Sequence, residues 1–432
     1  MIRKHFAGFA TSALALAVSA QAFAGTVSTD GADIVINTKS GLEVATTDKE
    51  FSFKLGGKIQ WDATNFDGLQ AASQKKPFDD TFNTRIRRGE LSVEGVAYKD
   101  WGYGVRLSYD DADKTDVDRS FISYSGLGFA TVTVGQFGVD YGLENTTSSS
   151  WITGMERPFM YDMLNGDEDV KFGVNVMHTG ETYGLMAQVG HYDKIETDGN
   201  DELFGYTLRA NWAPYLSGTD VVHLGANFHS SNPDDGSAKA KTRLGIRSDK
   251  DDSLTFASVS KADSDTEWVL ESGAQFGAFR AQAEYFQRTI SGETAGGASA
   301  DADLSGYYGQ VSYMFNGVRK YKPGVGKWDK PTEAGAVEIF ARYESNTIDA
   351  DAGAIPAQLN SNVAGIVAAD VNDEFQADAF VVGVNYFPTA AVRMSLNYVD
   401  YQVDNINTIA QIGGKDVQDD GKAIMGRLQY VF

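Results

Sequence analysis

Period-two alternation of apolar and polar side chains, recurring in separated stretches, constrains the fold of this chain more than any other feature. Phe51, Phe53, Leu55, Gly57, Ile59 and Trp61 share one face of an extended segment, and Ser52, Lys54, Gly56, Lys58, Gln60 and Asp62 share the other. The pattern returns at Trp101, Tyr103, Val105, Leu107 and Tyr109, opposite Gly102, Gly104, Arg106, Ser108 and Asp110. It recurs at Phe204/Tyr206/Leu208/Ala210/Trp212, at Val337/Ile339/Ala341/Tyr343 and at Val392/Met394/Leu396/Tyr398. Strands with one apolar face and one charged face suit a sheet that meets lipid on one side and water on the other.

No run after the N-terminus reaches the roughly 18 apolar residues of a spanning helix, so a membrane form must be a closed barrel, whose backbone groups pair between strands. Export is indicated by Arg3 and Lys4, the apolar stretch from Phe6 to Val18 and the small-residue site Ala22-Phe23-Ala24. The expected division is a signal peptide over residues 1–24, a periplasmic N-terminal extension over 25–50 and a barrel over 51–432. Glycine (46), tyrosine (20) and phenylalanine (25) are abundant, and hydrophobic residues make up 42% without long runs. Cysteine is absent, which removes disulfides, thiolate nucleophiles and cysteine-ligated metals. The net charge of −22, more acidic by two once Arg3 and Lys4 leave, argues against a nucleic-acid partner.

Connection lengths agree with this reading. Tight turns at Lys99-Asp100, Gly126 to Gly128, Gly277-Ala278 and Pro388 to Ala390 alternate with long polar stretches, at Asp67 to Asn83, Gly138 to Asp169, Ser230 to Glu267 and Thr347 to Glu374. The expectation is an all-β transmembrane antiparallel barrel of about 16 strands, with short periplasmic turns, long external loops and outer-membrane lipid around it. Ile424, Gly426, Leu428, Tyr430 and Phe432 form the apolar face of a closing strand that ends on an aromatic residue.

Several blocks, in order along the chain, resemble the phosphate-selective porins O and P. They are Gly31-Ala-Asp-Ile-Val-Ile, the stretch from Gly41 to Lys58, Gly277-Ala-Phe-Arg-Ala-Gln-Ala-Glu-Tyr285 and the ending Arg427-Leu-Gln-Tyr-Val-Phe432. The resemblance implies a homotrimer of 16-stranded barrels in the outer membrane, each a water-filled pore whose basic ladder guides small anions such as phosphate or polyphosphate. It places an external ladder on Lys239, Lys241, Arg243 and Arg247, and a constriction on Arg87, Arg88, Asp118, Asn145 and Ser148. A periplasmic ladder falls on Lys39, Lys49, Lys54, Lys58, Lys322, Lys327 and Lys330. Alternation alone also turns Lys54 and Lys58 inward. In the external ladder, positions i, i+2, i+4 and i+8 would share one side of an extended segment. Read without the family, those four residues are a solvated basic patch in a loop, and Arg87-Arg88 is a strand end.

Departures from the family accompany these matches. Asn145 stands where the central phosphate-contacting lysine is expected, Gly102 and Asn37 replace other lysines, and Lys58 replaces an arginine. An amide can donate a hydrogen bond to phosphate but adds no charge. A general or cation-preferring diffusion porin of the same fold is therefore the rival reading. An outer-membrane barrel enzyme is more remote: His229-Ser230-Ser231-Asn232 places a base, hydroxyls and an amide together, but neighbours in sequence seldom make a directed triad. No cofactor or metal is expected, since no histidine pair has ligand spacing and the acidic runs Asp110-Asp111-Ala112-Asp113 and Asp249 to Asp252 read as loops.

Overall fold

The computed structural model describes residues 26–27, 33–38, 41–72, 81–109, 115–166, 168–192, 203–233, 236–247, 253–356, 358–360, 363–364, 374–404, 411–412, 415–416 and 419–432. The expected signal peptide, Lys39 and both acidic runs lie outside the described residues.

Among the described residues, sixteen strands make one antiparallel wall. They are β1 (Ser52–Phe66), β2 (Thr81–Ala97), β3 (Trp101–Tyr109), β4 (Thr115–Tyr124), β5 (Thr131–Phe137), β6 (Val170–Thr179), β7 (Tyr183–Tyr192) and β8 (Leu203–Ser217), followed by β9 (Asp220–Asn232), β10 (Lys261–Phe276), β11 (Phe279–Glu293), β12 (Ala302–Phe315), β13 (Ala336–Ala350), β14 (Glu374–Phe387), β15 (Val392–Asp404) and β16 (Asp420–Val431). Each strand pairs with its successor, and β16 returns to β1 with Tyr430 opposite Ile59. Closure leaves the wall without an open edge, the condition for a sheet in hydrocarbon.

The alternation read from the sequence sets which face is which. Trp101, Trp212 and Leu396 are 48%, 53% and 52% exposed on the outer face, whereas Arg209, Arg393 and Gln429 are buried on the inner one. Aromatic rings gather at the short-turn end, with Trp101 and Tyr124 4.8 Å apart and Tyr215 and Phe276 6.0 Å apart. Such rings suit the membrane–water boundary. At that end the terminal Phe432 exchanges two backbone hydrogen bonds of 3.0 Å with Gly57. Below it, Leu42–Thr46 pairs with the start of β1 and carries Ile34–Asn37 on its other side. One connection at this end is long: residues 316–335 form a hairpin of Arg319–Lys322 and Lys327–Pro331 that turns into the lumen, where Trp328 packs with Leu143, Ala213 and Val221.

The segment 138–169, between β5 and β6, also lies inside the barrel, and the wall satisfies its backbone. Glu284 accepts hydrogen bonds from the N–H groups of Leu143 and Glu144, at 2.6 and 3.2 Å. Glu267 accepts from Asn165 and Gly166, at 3.0 and 2.5 Å, and Glu344 from Phe159, at 2.5 Å. Arg393 donates to the carbonyls of Ser150, Ile152, Thr153 and Gly154. Arg342, Arg427 and Arg288 reach those of Glu156, Met155 and Met163. All these wall residues come from β10 to β16, so the segment is held to that side of the lumen. Gly142 makes its entrance possible: its φ is 75°, and a Cβ there would lie 2.0 Å from the Tyr161 hydroxyl.

Arg393→Ala takes the arginine from four of these carbonyls in a buried site; Gln429 and Asn385 still donate to those of Ser150 and Thr153, while those of Ile152 and Gly154 lose the side-chain donor they have among the described residues. Replacing charged hydrogen bonds there is expected to cost about 3 kcal/mol. The folded barrel should unfold at lower temperature on a gel-shift assay, and its open-channel current should become noisier as the segment comes loose.

Candidate pore constriction

Between the clamped segment and strands β1 to β4 lies a cavity of about 570 Å³. Seven cationic side chains line it, from Lys58, Arg87, Arg88, Arg106, Arg119, Arg157 and Lys327, against five acidic ones, from Glu90, Asp118, Asp140, Glu168 and Asp169. Asn145, Ser148 and Ser149 complete its polar lining on the loop side.

Two irregularities in the wall deliver these charges. Gln60 pairs with Arg88 but Trp61 pairs with Ile86, which makes Arg87 the extra residue of a β-bulge. Arg106 pairs with Arg119 and Leu107 with Val117, so Asp118 is the extra residue of a second bulge. A bulge lets two consecutive side chains share a face, and here it turns both Arg87 and Arg88, and both Asp118 and Arg119, toward the cavity. Strict alternation sends one of each pair to lipid. The signal was nevertheless present: Ile86 and Gly89, and likewise Val117 and Ser120, are outward-facing positions three residues apart in runs that otherwise repeat every two.

All five expected constriction residues line this cavity, and two of the expected periplasmic lysines, Lys58 and Lys327, join them. Lys58 is ion-paired to Glu90 at 2.9 Å and donates to the Ser149 hydroxyl at 2.7 Å. Arg106 bridges Glu90 and Asp118. Arg157 donates to the backbone carbonyls of Glu144, Asn145 and Thr147. Arg88 donates to Gln60 at 2.9 Å and has no carboxylate partner among the described residues. The other lysines are not brought into the cavity: Lys49 sits in a turn with φ 61°, Lys54 is exposed near the short-turn end, Lys330 is half-buried, and Lys322 pairs with Asp329 at 3.0 Å.

The external group is arranged differently from the extended ladder its spacing suggests. Only Ala238–Thr242 is extended, paired with Leu254–Val259, and the chain then turns at Leu244 and Gly245, both at positive φ. Lys239 and Lys241 stay on this hairpin. Arg243 and Arg247 converge through the turn on Asp162 of the inserted segment, at 3.5 and 3.3 Å. His229 faces inward but is enclosed by the rings of Tyr141 and Tyr192, and it shares a 2.8 Å hydrogen bond with Thr207. Ser230 and Asn232 lie on the other face of the strand, and the Ser231 hydroxyl is not hydrogen-bonded to His229, so the His-Ser-Ser-Asn run is not assembled as a triad.

Glu156, which sequence reasoning passed over, holds Arg87 through both carboxylate oxygens, at 2.8 and 2.9 Å, and Arg427 at 2.6 Å. Burial alone would raise its pKa, but Arg87 and Arg427 outweigh it and hold the carboxyl well below the usual range. Asp169 behaves in the opposite way. Burial pushes it up to about 6, with Arg119 opposing and Asp118 adding to the rise.

A closed wall, apolar outside and charged inside, narrowed by an inserted segment around a polar passage, defines an outer-membrane porin. Comparison with known proteins agrees. The family described as phosphate-selective porin O and P matches residues 53–432. Porin O of Pseudomonas aeruginosa is 38% identical over 462 residues, covering 100% of both chains. The chain belongs to the phosphate-selective porin O and P family. Solved barrels share the fold at low identity. The anion-selective porin from Comamonas acidovorans superposes with TM-score 0.53 at 13% identity, over 89% of this chain and 100% of that one. The channel DcaP of Acinetobacter baumannii gives 0.52 at 13%, over 91% and 100%. OmpT of Vibrio cholerae, solved as a trimer, gives 0.52 at 12%, over 88% and 99%.

The raised pKa of Asp169 makes a pH dependence. Above about 6 its carboxylate is charged, and below that value it is neutral, so acidification removes a negative charge from the cavity. The ratio of anion to cation permeability should rise as pH falls through about 6, and Asp169→Asn should hold the higher ratio throughout. Reversal potentials in a salt gradient at stepped pH measure this.

Proposed function

We propose that this porin passes small anions, phosphate and short polyphosphates among them, through the cavity beside β1 to β4. The observation that carries the reading is Arg88, turned inward by its bulge and left without a carboxylate partner among the described residues. Arg157 and Lys327 line the same cavity, and guanidinium and ammonium groups both donate charge-assisted hydrogen bonds to phosphate oxygens. Lys239 and Lys241 on the external hairpin draw anions toward it. Family membership supports the same choice of solute, and the anion selectivity of the Comamonas porin supports the choice of charge. In this reading the working form is a homotrimer, supported by the trimeric form of the Vibrio relative. Residues 1–24 are its signal peptide.

A second reading, a general or cation-preferring diffusion channel, draws on the five acidic side chains in the same cavity and on the missing charge at Asn145. The net charge of −22 weighs less, because exposed charges farther than about 8–10 Å are screened at physiological salt. The zero-current potential in a potassium chloride gradient separates the two. Chloride preference supports the proposal, and potassium preference rejects it.

Phosphate block of chloride current should be weak in the natural chain, since Asn145 supplies no cation. Asn145→Lys restores one beside Arg157 and should lower the half-blocking phosphate concentration about tenfold, equivalent to ~1.4 kcal/mol. Changing Lys239 and Lys241 together to glutamine should reduce anion conductance chiefly in dilute salt, where their field reaches farthest. Conductance ratios measured from dilute to concentrated salt check this.

A further inference from the structure

The inserted segment is fixed to the wall mainly through its backbone, yet Glu156 reaches back with its side chain. Its carboxylate contacts Arg87 through two hydrogen bonds and Arg427 through one, and lies 3.7 Å from Arg247. Arg88 adds its field to the same spot, since its charge and that of Glu156 interact. Three guanidinium groups surrounding one carboxylate form the constellation that a small oxyanion would otherwise occupy. The paired oxygens of Glu156 stand in for two oxygens of such a ligand.

Holding the loop does not require this side chain. Arg342 donates to the Glu156 carbonyl and Arg427 to that of Met155, so the backbone on both sides of the carboxylate is already fixed. Nor does Arg427 need it for neutralisation, because Asp62 takes two of its N–H groups at 2.7 Å. What Glu156 does control is Arg87, a cavity-lining cation for which it is the only carboxylate partner among the described residues.

We propose that Glu156 is a tethered competitor of the transported anion. It occupies the arginine cage formed by Arg87, Arg247 and Arg427, and an oxyanion gains that cage only by displacing it. This inference rests on the anion-channel reading above. A monovalent ion such as chloride makes one contact at a time and leaves Glu156 in place. An oxyanion with several negative oxygens, phosphate or diphosphate, offers Arg87 the bidentate contact that the carboxylate now makes. The natural residue thereby weakens binding at the constriction and favours release, which a channel needs as much as capture.

The test uses the full-length barrel in planar bilayers, with inorganic phosphate and diphosphate as probes against chloride current. Glu156→Gln keeps the size of the side chain and removes its charge. It should lower the half-blocking concentration of phosphate about tenfold and that of diphosphate by more, roughly the change that one freed charge-assisted contact supplies. Glu156→Asp, which keeps the charge but shortens the reach, should fall between the natural chain and Glu156→Gln. Adding Arg87→Gln to Glu156→Gln should return block toward the natural level. Unchanged or weaker block in Glu156→Gln, in a barrel that still prefers chloride to potassium, overturns the competitor role and leaves the anion channel standing. Potassium preference in the natural chain removes the anion-channel reading itself. Retention of the folded, heat-modifiable form shows that each variant is assembled, and if Glu156→Gln fails to keep it, the intermediate block of Glu156→Asp decides, with unchanged block in that variant rejecting the proposal.

Discussion

A polypeptide segment that lies inside a pore must have its backbone satisfied by the wall, and this requirement organises the lumen. Buried N–H and C=O groups without partners are costly. Here three wall glutamates accept from loop N–H groups, and four wall arginines donate to loop carbonyls. Because these seven charged donors and acceptors stand on β10 to β16, the segment is drawn to one side. The water-filled passage is what remains on the other side, against β1 to β4. One set of the barrel's internal charges is thus engaged in positioning, and a different set lines the passage.

The lining charges owe their placement to local breaks in regularity. A perfect strand offers the lumen one side chain in two, whereas the bulges at Arg87 and Asp118 each offer two in succession. Concentrating charge in this way strengthens the field where the passage is narrow, and low-dielectric walls focus it further. Carboxylates then set how much of that charge is available. Glu90 occupies Lys58 and Arg106, Glu156 occupies Arg87, and Arg88 is left without a carboxylate partner among the described residues. The negative total charge of the chain and a cationic path are compatible for this reason.

Much of the fold was legible because alternation is a property of local sequence. The faces of β1, β3, β8, β13 and β15, the closing strand with its terminal Phe432 and the tight turns could all be read residue by residue. Sites were legible in part. Arg87, Arg88, Asp118, Asn145 and Ser148 were placed by family resemblance, and the structure gathers them around one cavity. Arg157, Asp140 and Glu156 carried no comparable signal, because their roles arise from how the inserted segment meets the wall, a contact between residues up to 279 positions apart. The external ladder was misread as one extended run since spacing cannot reveal the turn at Leu244 and Gly245. The inward hairpin at 316–335 was equally hidden, as its anchor Trp328 looks like any aromatic residue near a strand end until Arg280 is seen 5.0 Å from its ring.

The central claim is that ions pass between the inserted segment and β1 to β4, under a positive field, and not behind the segment. The absence of native cysteine allows a direct measurement by single-cysteine modification during current recording. Ser148→Cys lines the predicted passage, and Asn346→Cys lies buried behind the segment near Met163. The account predicts that a negatively charged methanethiosulfonate reagent reduces the current of Ser148→Cys faster than a positively charged one of similar size, while Asn346→Cys stays inert to both. Equal or faster reaction of the positive reagent at Ser148→Cys, or rapid modification at Asn346→Cys, would contradict it.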